Sequence, residues 1–115
     1  QDSVLSAIAI LPEWAQFQLN QGYVRTIEEG GVVSSAWLRE GRISIPARLR
    51  NEPASHLAGL LIHETYHIWQ VTYYPDGPWD WDKAAKWEAL ALEQMGADTD
   101  YISFRRAYLH QTRGP

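Results

Sequence analysis

Cysteine is absent from the 115 residues, so disulfides and thiolate metal sites are excluded and any metal must sit on histidine, aspartate or glutamate. Long apolar runs are missing too. No stretch approaches the length needed to cross a bilayer, and Leu5 to Leu11 follows Asp2, where a signal peptide would carry positive charge. That run reads as a helix. Nor is there a basic cluster. Arg48 with Arg50 and Arg105 with Arg106 are isolated pairs in a chain of net charge −4, which argues against nucleic acid as a partner. A starting methionine is also lacking. Gln1 stands there, and the expectation drawn from it is processing or trimming, with a soluble, secreted or extracytoplasmic location.

What is present suits one small domain over residues 1–115. Apolar residues make up 45% of the chain, enough for one core. Ser3 to Ile10 reads as a short helix, and Pro12 sets the first turn of a second one ending near Gly22, with Leu11, Trp14, Ala15 and Leu19 on its apolar face. Tyr23 to Ile27 has strand propensity, and Glu29-Gly30-Gly31 reads as a turn. Val32 to Leu38 and Arg42 to Ile45 form an expected hairpin that Pro46 stops, with Ile43 and Ile45 on one face. A long helix follows from about Pro53 to Val71, capped near Asn51 or Glu52. Another runs from about Lys83 to Met95 with Asp82 as N-cap, and a last one from Thr99 to Gln111. The fold class expected is α+β, with a small antiparallel or mixed sheet. Trp14, Trp37, Trp69 and Trp87 are read as core.

The informative segment is Leu61-Ile62-His63-Glu64-Thr65-Tyr66-His67-Ile68-Trp69-Gln70. Residues i and i+4 of a helix differ by about 40° around the axis and roughly 6 Å along it. His63 and His67 can therefore aim both imidazoles at one ion, with Zn–N near ~2 Å. Glu64 lies beside them and can reach a water on that ion. Zinc lowers the pKa of such a water toward about 7, and a carboxylate can then take its proton during attack on a carbonyl. The flanks are apolar, and a polar triplet inside an otherwise buried stripe needs a reason.

A catalytic zinc normally takes three protein ligands and leaves one position for water. Glu88 is the leading candidate for the third, because Ala84, Ala91, Leu92 and Met95 share its helical face and leave it a lone carboxylate on an apolar stripe. Glu93 falls on another face and reads as a surface or supporting group. Asp80, Asp82, His56 and His110 are the remaining candidates. The expected set is thus His63, His67 and Glu88 for one zinc per chain, with Glu64 as general base.

These residues resemble the gluzincin clan of zinc peptidases, and the small size is similar to the minigluzincins, a minimal thermolysin-like form. The resemblance covers residues 57–95 and rests on His63-Glu64-Thr65-Tyr66-His67 and on Glu88-Ala89 in the next long helix. It implies a zincin-like fold, peptide or protein substrates, and a substrate held along a sheet edge, Val32 to Leu38 or Arg42 to Ile45. Trp79-Asp80-Trp81 would line the mouth of the cleft. Two departures stand out. In thermolysin-like members an aspartate four residues after the third ligand supports a zinc histidine, and here that position is Leu92. The oxyanion donor also lacks a match, with Tyr101, Tyr108, His110 and Arg105 as candidates by chemistry.

Two other functions fit the same residues. One is a metal-binding regulatory or interaction module without catalysis, since so short a chain has little surface for specificity pockets. The other is a latent enzyme. Residues from Tyr101 on carry Arg105, Arg106 and Arg113 and no acid, whereas Asp76 to Asp100 holds seven acids, so the C-terminal segment could dock over the cleft and inhibit it.

Overall fold

The computed structural model describes residues 2–29, 35–37, 40–77 and 81–112 of the chain. Among these residues the elements are α1 (Asp2–Ile10), α2 (Glu13–Leu19), β1 (Thr26–Glu29), β2 (Ser35–Trp37), β3 (Arg42–Ile45), α3 (Ala54–Tyr73), α4 (Trp81–Gln94) and α5 (Thr99–Thr112). A short 3-10 turn, Ala47–Asn51, links β3 to α3. The chain is mixed α and β, and mostly helical.

The helices follow from apolar periodicity and from proline and glycine punctuation. Pro12 stands at the N-cap of α2 with φ −57° and ψ 155°, and its ring fixes that φ in advance. Leu11, Ala15 and Leu19 are buried on one face. Helix α2 stops at Leu19, short of Gly22, because the Asn20 N–H closes it onto the Gln16 and Phe17 carbonyls at 3.0 and 3.2 Å. At the start of α3 it is Pro53, and not Asn51 or Glu52, that holds the N-cap position, with no side-chain cap. Asp82 likewise lies inside the first turn of α4, which begins at Trp81.

Of the two sheet types expected, the antiparallel one is corrected and the sheet is mixed. Its longest ladder is parallel, with Thr26 opposite Arg42 and Glu29 opposite Ile45. The hairpin partner β2 adds an antiparallel strand on the other side, Ser35 opposite Ser44, so the order is β1-β3-β2. The expected strand residues 32–34 and 38, and the turn glycines 30 and 31, lie outside the described residues. Strand β1 begins later than expected. Tyr23 is buried ahead of it and donates its hydroxyl to Gln18 Oε1 at 2.8 Å, acting as a core anchor before the strand. Because β3 is central, Arg42–Ile45 has no open edge for a substrate peptide, and that expectation is withdrawn.

Gly41 sets how the chain enters β3. Its φ is +65°, and a Cβ there would stand 2.2 Å from the Tyr23 carbonyl oxygen, while its own carbonyl accepts from Arg25 N at 2.7 Å. Gly41→Ala is expected to cost about 2–5 kcal/mol, from the left-handed backbone and the overlap together. Urea unfolding measures this, and a loss below about 1 kcal/mol would mean that the turn does not lie against Tyr23.

Helix α3 runs through the middle. Every residue from Leu57 to Ile68 is buried, the mark of a helix enclosed on all sides. It packs against α1, α2, α4, β2 and β3. Ile43 and Ile45 of β3, Leu57, Leu61 and Ile62 of α3, and Ala91 of α4 belong to one core cluster. The tryptophans are not its centre. Trp14, Trp69 and Trp87 are half-buried and pack against its rim, their rings meeting at 5.9 Å, while the Trp37 side chain lies outside the described residues. Among the described residues no helix is long and apolar enough to cross a membrane.

Candidate metal centre

Helical spacing turns His63 of α3 toward α4, with Glu64 and His67 buried beside it on the same helix. His63, Glu64 and His67 are 4, 9 and 2% exposed, although three such groups are costly to bury without compensation. The His63 and His67 rings lie 5.1 Å apart between centroids, at 72° to each other.

Glu88 reaches the same place from α4. It is 1% exposed, and Ala84, Ala91 and Leu92 around it are fully buried, as its lone place on an apolar stripe requires. Its Oε1 stands 3.0 Å from His63 Nδ1. Two features let the helices approach this closely. The alanines of α4 are one. Gly59 of α3 is the other, since a Cβ there would meet Leu92 Cδ2 at 3.0 Å and Glu88 Cγ at 3.4 Å.

Arg105 of α5 completes the cluster. Its Nε donates to Glu88 Oε2 at 2.6 Å and its Nη2 to Glu88 Oε1 at 3.0 Å, a two-point fork on a buried carboxylate. Burial raises the pKa of Glu88, but the His63 contact and the bonds and charge of Arg105 outweigh it, so the pKa lies below the ordinary carboxylate value. Glu88 is therefore an anion.

The other candidates are elsewhere. His56 turns its Nδ1 to Glu52 at 2.9 Å and stacks on Tyr101 with ring centroids 3.5 Å apart. The Tyr101 hydroxyl, pushed up to about 12 chiefly by burial, stays a neutral phenol. Glu93 is exposed and meets Arg106 at 3.4 Å, as its helical phase implies. Asp82 is exposed, and Arg105, whose Nε and Nη2 both donate to Glu88, is not positioned as a free oxyanion donor. Trp79 and Asp80, as well as the side chains of Trp81, Tyr108 and His110, lie outside the described residues. A cavity of about 360 Å³ opens between α2 and the end of α3, lined by Phe17, Gln18, Trp69, Tyr73 and Tyr74 among others. Its walls carry no charged side chain, and it is separate from the His–Glu cluster.

A zinc ion can be tested against these donors. Among the described residues no three His, Asp or Glu side chains stand already gathered as a metal cluster. The chemistry of the set fits all the same. It offers two imidazoles and one ionised carboxylate, with no soft ligand, and the His63–Glu88 approach of 3.0 Å is close to the ~3.3 Å edge of a tetrahedral zinc shell. Comparison of the chain with protein-family models, with curated proteins and with solved structures returns no match.

Proposed function

We propose that the chain is a zinc-dependent peptidase of the gluzincin type, close in plan to the minigluzincins, with His63, His67 and Glu88 as ligands and Glu64 as general base. The observation that carries this reading is the Glu88 carboxylate, 1% exposed, delivered by a second helix to 3.0 Å from a ring nitrogen of His63. A zinc ion held by His63, His67 and Glu88 would supply Lewis-acid polarisation of a carbonyl and a water activated near neutral pH. Glu64 would serve as the general base beside it, accepting a proton and returning it to the leaving amine. Helix α3 fixes the three side chains along one rigid rod, and the surrounding core keeps bulk water from their back. The reading is tested by titrating the chelator-treated chain with zinc and assaying fluorogenic peptides. About one zinc per chain and metal-dependent cleavage are expected; a chain that takes up no zinc removes the proposal.

A second reading is a metal-binding module without catalysis. It is favoured by the burial of the cluster, with His63, His67 and Glu88 all at 4% exposure or less. Such a module would unfold on zinc removal and show no hydrolysis with any peptide. A latent enzyme covered by α5 would cleave faster once shortened after Tyr101.

A further inference from the structure

Leu92, one turn after Glu88 on α4, is apolar and fully buried against Gly59, so it offers no polar support to a neighbouring ligand. Metal ligands are held in place by outer partners almost without exception, so support must come from another direction. We propose that Arg105 supplies it, as a positioning residue that holds the Glu88 carboxylate toward His63 from the far side. The inference rests on the metal-binding reading of His63, His67 and Glu88.

Arg105 is itself held from two sides. Ile102, one turn earlier on α5, packs with Ala89 and Leu92 of α4, and Tyr101 stacks on His56 of α3. Its guanidinium thus arrives as a fixed fork, 13% exposed, on a carboxylate 1% exposed. Ion pairs at the surface add little, and Arg106 to Glu93, with side chains 60 and 53% exposed, is one of these. The Arg105 fork differs because both groups are withdrawn from water. A carboxylate offers about four lone-pair positions, and the two bonds from Arg105 leave others open. Nor does the fork draw Glu88 away from α3. Oε1 remains 3.0 Å from His63 while it accepts from Nη2. The carboxylate is thus oriented before any cation arrives, which lowers the reorganisation that binding requires. Lysine cannot reproduce this geometry, because an ammonium is a point charge without a fork.

The experiment uses the full chain, freed of metal by chelation, as wild type, Arg105→Lys and Arg105→Met. Cobalt(II) uptake is followed by its d–d absorption, and zinc affinity by competition with a chromophoric chelator. Arg105→Lys keeps the charge and loses the fork. Its zinc affinity is expected to fall about 10–100-fold, with an altered cobalt spectrum as Glu88 turns, and Arg105→Met to fall at least as far. Should the methionine variant not fold, the lysine variant carries the test. Wild-type affinity and spectrum in Arg105→Lys would overturn the proposal, since charge alone would then suffice. Tighter binding in either variant would also overturn it, because Arg105 would then compete with the ion and α5 would act as a latch. A wild-type chain that binds neither metal would instead remove the metal-binding reading itself.

Discussion

Glu64→Gln should leave zinc uptake at about one per chain and lower peptide hydrolysis by roughly 10²–10⁴-fold, the range a positioned general base contributes. The substitution keeps the shape of a side chain that is 9% exposed on a helix buried over its whole middle, so packing around it should not change. It removes only the ability to accept a proton at neutral pH. His63 and His67 remain one turn apart, and Glu88 remains on α4, so the proposed ligands are untouched. Emission spectroscopy for zinc and a fluorogenic peptide assay on the same preparation separate the two roles. Loss of zinc together with activity would make Glu64 a ligand and not a base. Activity within twofold of wild type would remove it from the proton path.

The helices were legible because their signals are local. Apolar residues at helical spacing, Pro12 and Pro53 at helix starts, and Gly96 after α4 lie within a turn of what they specify. The burial of Glu88 was legible in the same way, since its neighbours at 84, 91 and 92 are apolar and it alone is not. The parallel pairing of β1 with β3 was not. Thr26 and Arg42 are partners through the placement of β3 between two strands that precede it, and no turn residue encodes that order. Tyr23 misled for a related reason, because an aromatic with strand propensity can equally be a buried anchor. Gly59 did leave a signal. A lone glycine inside a long helix costs about 1 kcal/mol against alanine and so suggests a close approach, here by Leu92. Arg105 was visible as a cation near an acidic region, and Glu88 as an isolated acid. Their meeting across 17 positions depends on how α5 folds back on α4, which periodicity does not reach.

Arg105→Met and Glu88→Leu should each destabilise the metal-free chain by roughly 3–5 kcal/mol, whereas the double substitution should be neutral or stabilising by about 1–4 kcal/mol. Each single change leaves an uncompensated charge in a place where its partner was 1% or 13% exposed. The double change replaces both charges by apolar groups of similar volume, next to Ala89, Leu92 and Ile102, which are already buried. Urea unfolding in the presence of a chelator reads this difference directly. The double variant should also lose zinc uptake, since the carboxylate is gone. Stability and metal binding would then move in opposite directions at one pair of residues. That result would mean that the chain bears the cost of dehydrating Glu88 and Arg105 for the sake of the centre and not for the fold. A double variant as unstable as either single one would show that the two side chains do not compensate each other, and α5 would then be held to α4 by Ile102 and its apolar neighbours alone.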